Sequence, residues 1–252
     1  MLDLRAWREW RRWVPADCPG CGVRTSGQSL CPVCRAMLPS AMGRACCPRC
    51  AHPWHEGRCP DCLRRVPAFD HVVAAFAYSG LGEHLIKDYK FAGRLSLAHL
   101  LAMHLVEAVR GTAEACAAPI DWVVPVPAHE ASLRQRGFSP PAEVARILAR
   151  RLRLRYRLDL LHRVRDGPRQ VTLGQNARLQ APEGVFACEQ VRGRPRDLTG
   201  QRVVVVDDVL TTGSTLHAVA QVLKAAGAAH VHGWVLARAA ADGNRRSPDP
   251  WR

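Results

Sequence analysis

Four copies of one short motif, Cys-Pro-x-Cys, lie in the first quarter of this 252-residue chain. A spacer of two residues lets two thiolates bind one ion, and two such motifs supply the four thiolates of a closed tetrahedral Zn²⁺ site. Proline follows the first cysteine of every copy, so Cys47 rather than Cys46 begins the third motif. The eight predicted zinc ligands are Cys18, Cys21, Cys31, Cys34, Cys47, Cys50, Cys59 and Cys62.

Two structural zinc sites would therefore fix the fold of this segment. So short a segment buries too little apolar surface to fold alone, and metal binding supplies the missing free energy. The gaps between the motifs suit one hairpin in each half, which favours pairing the first motif with the second and the third with the fourth; an interleaved pairing is the alternative. His52 and His55 could replace a thiolate, but with four cysteines available for each site we expect them in loops. A disulfide framework would need an oxidising compartment, which we do not expect.

The residues ahead of the first cysteine predict an amphipathic helix. Trp7, Trp10 and Trp13 recur every three residues, which places them on one helical face. We expect this face to pack on the chain's own core, with a helix on a membrane surface as the alternative. No segment reaches the roughly 18 apolar residues that span a membrane, and the N-terminus lacks an apolar signal core. The expected location is therefore cytoplasmic.

After Pro67 the sequence alternates between strand and helix patterns, and 48% hydrophobic residues with 23% charged residues exclude wholesale disorder. Strands are predicted at 69–78, 121–127, 184–188, 202–206 and 230–236, and helices at 82–90, 95–109, 141–154 and 214–226. Such alternation predicts the α/β class, a mostly parallel sheet flanked by helices, here preceded by a double zinc-ribbon module. The expected domains are an N-terminal helix at 1–17, the double ribbon at 18–66, the α/β domain at 67–238 and a flexible tail at 239–252.

The strongest site pattern is segment 203–215, in which four valines precede Asp207-Asp208 and a turn rich in hydroxyl groups. Four aliphatic residues predict a buried central strand, and ligands bind at the carboxyl ends of such strands. The turn opens a helix, so its N–H groups and the helix dipole would attract a phosphate. Paired carboxylates suit sugar hydroxyls, or Mg²⁺ held together with phosphate oxygens. The turn residues are Thr211, Thr212, Gly213, Ser214 and Thr215.

Three other interpretations of this segment explain less. The metal-holding strand of an ATPase would need a G-x-x-x-x-G-K-[ST] loop, and the sequence contains none. A dinucleotide fold would need G-x-G-x-x-G, whereas Gly80-Leu-Gly82 is not followed by the third glycine. An ordinary strand, turn and helix with a threonine N-cap accounts for neither the acidic pair nor the polar turn.

Segment 203–215 resembles the ribose-phosphate signature of type I phosphoribosyltransferases. Together with the cysteine motifs and four further segments, it makes the chain similar to the ComF family, a group of competence-associated proteins, from about Cys18 to Arg238. The four segments are Tyr78-Ser-Gly80, Tyr89-Lys90-Phe91, Val124-Pro-Val-Pro127 and Arg136-Gly137-Phe138. The resemblance implies a zinc-ribbon module joined to a type I phosphoribosyltransferase-like domain that binds phosphoribosyl pyrophosphate (PRPP) with Mg²⁺.

The resemblance also implies roles for individual residues. Asp207 and Asp208 would hold the ribose 2′- and 3′-hydroxyls, and the turn from Thr211 to Thr215 would cradle the 5′-phosphate. Ala128 and His129 would meet the pyrophosphate. Segment 163–178 resembles the mobile loop that closes over the substrate, with the candidate residues Arg163, Arg165, Gln170, Thr172 and Arg178. Lys90 matches a basic position of the family, whereas Ser139-Pro140 and Ala181 depart from its usual Asn-Gln and asparagine.

The formal charge of the chain, +14, points to a polyanionic partner. Each Zn²⁺ with four thiolates carries −2, so two sites would lower the total to about +10. Segment 134–169 alone holds eleven arginines, and these either contact a phosphate backbone or form a solvated surface.

Two functions fit this sequence. The first is a phosphoribosyltransferase that acts in the uptake of transforming DNA and whose acceptor the sequence does not define. The alternative is a non-catalytic module that binds PRPP or single-stranded DNA and docks a competence helicase through its zinc ribbons.

Overall fold

The computed structural model describes residues 15–27, 29–38, 40–41, 46–54, 59–112, 119–164, 184–191 and 194–239. The predicted N-terminal helix, apart from its last three positions, and the predicted tail, apart from its first residue, lie outside these ranges. Within them, no helix combines the length and the apolar character needed to cross a membrane.

The first two cysteine motifs form a small module around a hairpin. Strand β1 (Pro15–Asp17) pairs antiparallel with β2 (Arg24–Ser26), and the first motif lies in the turn that joins them. The second motif opens helix α1 (Pro32–Ala36), because its proline occupies the first turn, where a missing N–H costs nothing. The expected hairpin is thus present, but it encloses one motif instead of separating two.

The third and fourth motifs repeat this design. An antiparallel bridge between Cys46 and Pro53 closes the turn around the third motif. The fourth motif opens helix α2 (Pro60–Arg64), again with proline in the first turn. In both modules the residue after the second cysteine is left-handed: Gly22 has φ +75° and Ala51 has φ +54°.

The remainder of the described chain is built on a four-stranded parallel sheet in the order β3-β10-β9-β4. Two antiparallel pairs, β5 with β6 and β7 with β8, lie outside this sheet. The elements are β3 (His71–Ala77), α3 (Gly80–Phe91), α4 (Leu97–Gly111), β4 (Trp122–Pro125), α5 (Glu130–Arg136), α6 (Pro140–Leu152), β5 (Leu161–Arg163), β6 (Phe186–Cys188), β7 (Gln190–Val191), β8 (Arg194–Pro195), β9 (Arg202–Leu210), α7 (Ser214–Ala225) and β10 (His230–Arg238).

The α/β prediction is confirmed, but two of the predicted strands differ from it in length or in partner. Strand β9 continues past its valines through the acidic pair to Leu210, because its partner β10 runs equally far, to Arg238. The strand predicted at 184–188 forms, but it pairs with β5 outside the main sheet. Short apolar runs do not reveal which strand will be their partner.

Helices cover both faces of the sheet, and each face takes one cysteine module. Val204 and Val206 of β9 belong to the core under α4 and α6, which also includes buried cysteines of the first module. Val203 and Val205 point the other way, into the core under α7, which includes cysteines of the second module. Strand β9 is thus buried on both faces, which explains its unbroken run of valines.

Candidate functional site

The acidic pair lies near the carboxyl end of central strand β9. Successive side chains of a strand point to opposite faces, so the two carboxylates have different neighbours. Asp208 forms an ion pair with Lys90 of α3, with 2.7 Å between Oδ1 and Nζ. Asp207 Oδ1 accepts a hydrogen bond of 2.8 Å from the backbone N–H of Asp208.

Burial sets the charge state of Asp207. Loss of hydration, reinforced by the negative charge of Asp208, raises the pKa of Asp207 to about 7, against the opposing effects of its backbone hydrogen bond and of Lys90. Near neutral pH the carboxyl group therefore lies close to its titration midpoint. A cation or a hydroxyl donor that arrives beside it would favour the charged form.

The ion pair gives Lys90 a role that the sequence did not reveal. Its neighbour Tyr89 is buried and donates a hydrogen bond of 3.1 Å to the carbonyl of Pro140. The ring of Tyr89 lies 5.4 Å from that of Phe138, and the guanidinium of Arg136 lies 4.9 Å from the ring of Phe91. Two segments of the family resemblance therefore contact each other, and this contact holds the helix that carries Lys90.

The turn between β9 and α7 places hydroxyl groups around a helix N-terminus. Gly213 is the N-cap, and its φ of +77° is a conformation that glycine adopts without strain. The Thr212 hydroxyl donates to Ser214 Oγ at 3.1 Å, and the Ser214 N–H points back to Thr212 Oγ1 at 3.4 Å. The first N–H groups of a helix have no acceptor within the helix, and a glycine at the N-cap has no side chain that could accept their hydrogen bonds. The turn can therefore donate to an anion.

The loop after β4 approaches the same edge of the sheet. The Val126 N–H donates a hydrogen bond of 2.9 Å to the carbonyl of Val206, the residue that precedes the acidic pair. His129 caps α5, since its Nδ1 accepts from the Ala131 N–H at 3.1 Å. An accepting Nδ1 means that the neutral ring carries its proton on Nε2. Ala128 precedes this cap, so both predicted pyrophosphate-loop residues lie in the connection that leaves the carboxyl end of β4.

Of the candidate residues in the predicted mobile loop, Arg163 alone lies within the described ranges. Arg163 ends β5, and its guanidinium lies 5.4 Å from the ring of Phe186 on the partner strand. The other candidates, Arg165, Gln170, Thr172 and Arg178, lie outside the described residues.

The eight motif cysteines form two clusters, each with its four sulfur atoms within 4.8 Å of one another. The clusters join the first motif to the second and the third to the fourth, as expected, and Cys46 belongs to neither. Sulfur–sulfur distances include 3.6 Å for Cys21 to Cys31 and 3.8 Å for Cys47 to Cys62. Tetrahedral Zn²⁺ with bonds of about 2.3 Å would separate its sulfurs by about 3.8 Å. Both clusters could therefore hold zinc.

Backbone N–H groups favour the thiolate form of one sulfur in the first cluster, that of Cys18. Burial opposes ionisation of Cys18, but donors that include the Cys31 N–H, 3.3 Å from the sulfur, outweigh it and lower the pKa of Cys18 to about 6. A thiolate is the form that binds a metal.

The arginine-rich segment divides into paired and unpaired members. Arg134, Arg146 and Arg157 form ion pairs with Glu130, Glu143 and Asp159 respectively. At the end of α6, Arg150 and Arg153 have no ion-pair partner among the described residues.

Three guanidiniums, those of Arg155, Arg157 and Arg196, lie 5.7 to 5.9 Å from the Trp122 ring, and the last two also form ion pairs with Glu189. Trp122 begins β4 and pairs with Val203, four residues ahead of Asp207, which is about 13 Å along the strand. These arginines lie near the amino edge of the sheet and not beside the turn between β9 and α7.

Comparison with known proteins finds one matching domain family. Residues 138–252, which include β9 and the turn after it, match the family described as "Phosphoribosyl transferase domain". Among solved structures, glutamine phosphoribosylpyrophosphate amidotransferase from B. subtilis is 27% identical and matches 54% of this chain and 26% of its own, with a TM-score of 0.33.

Two curated relatives match this chain over most of its length and over nearly all of their own. DNA utilization protein YhgH of Salmonella typhi is 30% identical over 230 residues, which cover 89% of this chain and 98% of that protein. Competence protein F of Haemophilus influenzae is 27% identical over 216 residues, or 83% and 90% of the two chains. Because the identity extends over nearly the full length of both partners, this chain belongs to the ComF family of competence-associated proteins.

Proposed function

We propose that this chain binds PRPP with Mg²⁺ at the carboxyl edge of its sheet and serves the uptake of transforming DNA. The observation that carries the proposal is the single unit of β9, turn and α7, which offers two carboxylates and a hydroxyl-lined helix N-terminus to one ligand. The names of the relatives, a competence protein and DNA utilization proteins, support the cellular role.

Each part of this unit suits one part of PRPP. The turn from Thr211 to Thr215 would bind the 5′-phosphate through N–H and hydroxyl donors. Asp207 and Asp208 would accept hydrogen bonds from the ribose hydroxyls, and their negative charge would stabilise the ribose as C1 becomes cationic. When bound, Mg²⁺ supplies positive charge to the departing pyrophosphate. The Lys90 ammonium, paired with Asp208, holds this carboxylate in place until the ribose arrives.

Calorimetry with PRPP and Mg²⁺ tests this site. We expect the wild-type chain to bind and the double variant Asp207→Asn with Asp208→Asn to lose binding. The control is Asp159→Asn with Asp197→Asn, which removes the same charge from positions outside the site and should bind like wild type. Equal binding by the wild type and the acidic-pair variant would refute the site.

Whether the bound donor is consumed is a separate question. If the chain is a transferase, pyrophosphate release should appear with at least one acceptor in a panel of nucleobases. No release with any acceptor, together with tight PRPP binding, would support the non-catalytic alternative.

A second function, contact with single-stranded DNA, is favoured by Arg150 and Arg153 at the end of α6 and by Arg155 beside Trp122. Each phosphate contact adds about 0.7 to the slope of log K against log salt for single strands. Replacing Arg150, Arg153 and Arg155 by glutamine should therefore lower that slope by about 2. The ion-paired Arg134 and Arg146, replaced likewise, serve as controls and should change it little. An unchanged slope in the triple variant would exclude this surface.

A further inference from the structure

Arg238 joins the second cysteine cluster to the phosphate turn. It ends β10, and its side chain is only 3% exposed. Its Nη1 donates to the carbonyls of Leu210 at 3.1 Å and Thr211 at 2.6 Å, where β9 ends and the turn begins. Its Nε donates to the carbonyl of Cys50 at 3.0 Å, and its Nη2 donates to Asp61 at 2.8 Å.

The guanidinium group is suited to hold these partners at fixed distances. Its donors form a rigid planar fork, so moving the acceptors on one side shifts the hydrogen bonds on the other. The charge is buried, and Asp61 is the one carboxylate in ion-pair contact with it among the described residues. Breaking such a buried pair on one side leaves an uncompensated charge, which is costly. The position of Arg238 therefore depends on the position of Asp61.

Asp61 in turn depends on the cluster. It lies between the ligands Cys59 and Cys62 in α2, a five-residue helix with no fully buried side chain. So short a helix is not stable by itself, and packing adds little here. Coordination of the four sulfurs by a metal would hold both Asp61 and the Cys50 carbonyl in place.

The first cluster lacks this connection. Its module packs on the opposite face of the sheet, where Gly20 approaches Leu81 at the start of α3. In the part of the chain that the structure describes, no hydrogen bond or ion pair joins this module to residues 207–215. The first cluster can therefore serve as an internal control for the second, which Arg238 connects to the turn between β9 and α7.

We propose that Arg238 is a positioning residue through which metal at the second cluster orders the phosphate turn and strengthens PRPP binding. This inference rests on the proposed function of the turn. Linkage is reciprocal, so PRPP should hold metal at the second cluster more tightly by the same factor, and coupling of this kind typically amounts to 5- to 150-fold.

Affinity measurements on zinc-loaded protein test the inference directly. Arg238→Met and Asp61→Asn should each weaken PRPP binding by about 5-fold or more. Arg238→Lys keeps the charge but cannot reach both sides, so it should restore binding only in part. The control is Arg35→Met, which replaces an exposed arginine next to Cys34 of the first cluster. This variant should bind PRPP like wild type. Wild-type affinity in Arg238→Met would overturn the proposal.

The reciprocal effect of PRPP on the metal gives a second readout, the rate of zinc release, which does not require a PRPP affinity to be measured. Zinc release to a chelator should be followed with and without PRPP, and Cys21→Ser and Cys62→Ser assign the two release phases. PRPP should slow release from the second cluster alone, and Arg238→Met should abolish this protection. Equal slowing of both phases, or of neither, would contradict the coupling.

Amide hydrogen exchange without ligand separates this inference from the proposed function. Arg238→Met, or loss of metal from the second cluster, should accelerate exchange in residues 207–215 relative to α4. If the wild type binds no PRPP, the proposed function fails, yet this comparison still decides the positioning role. Unchanged exchange in 207–215 would refute it.

Discussion

The adjacent carboxylates at the carboxyl edge of the sheet lower the stability of the folded chain. Asp207 is a half-buried carboxylate beside a second carboxylate, and the one lysine here forms its ion pair with the second of them. Such unfavourable burial is typical of sites that gain their stabilising partners when a ligand binds.

The raised pKa of Asp207 predicts how stability depends on pH. The folded state holds the proton more tightly than the unfolded state, so this stabilisation is complete at low pH and is lost as pH rises toward 7. Asp207→Asn mimics the protonated form and should melt higher than wild type in Mg²⁺-free buffer, by a margin that widens from pH 5.5 to 8. Each kcal/mol corresponds to about 2–4 °C in a chain of this size.

Asp208→Asn provides the matched comparison. This substitution removes the ion pair with Lys90, so it should lower the melting temperature instead of raising it. A margin for Asp207→Asn that stays constant with pH would show that the carboxyl group titrates normally.

At the scale of elements, the β9–turn–α7 unit explains why local sequence was so informative. The valine run, the acidic pair and the glycine N-cap are consecutive, and each determines its own backbone state. Strand β9 and helix α7 therefore begin where they were predicted, although β9 runs four residues further than its valines. The pairing of β5 with β6 could not be predicted in this way, because it joins segments more than twenty residues apart.

The turn should depend on the left-handed backbone of Gly213. An added Cβ would lie 3.5 Å from the Phe69 ring, an ordinary contact, so Gly213→Ala is strained by its φ of +77° and not by crowding. We expect a loss of about 1–2 kcal/mol in the free energy of unfolding, together with weaker PRPP binding. Urea denaturation and calorimetry measure the two effects.

Gly111→Ala is the control for this substitution. Gly111 lies in α4 with open space around its Cβ position, so alanine should be neutral or stabilising there. Equal destabilisation at both positions would mean that the left-handed turn is unimportant.

At the scale of the whole molecule, the cysteine modules are part of the main core. Buried cysteines of the first module belong to the core on one face of the sheet, and those of the second belong to the core on the other. Metal loss should therefore weaken the α/β domain as well as the modules.

Adjacent cysteines provide a sharp test of the metal sites. Wild type should contain about two zinc ions per chain and Cys46→Ser should keep both, because Cys46 is in neither cluster. Cys47→Ser should retain only one and should melt lower. Metal analysis and thermal unfolding measure both effects, and zinc loss in Cys46→Ser equal to that in Cys47→Ser would contradict the assignment.

The sequence by itself determined the features whose causes are local. The spacing of the Cys-Pro-x-Cys motifs predicted the two cysteine clusters, and the order of segment 203–215 predicted the strand, the acidic pair and the polar turn. Only the tertiary structure decided which charges meet: Lys90 with Asp208, Arg238 with Asp61, and three arginines with Trp122. These partners are far apart along the chain, and a charged residue carries no pattern that names its partner until the strands have paired.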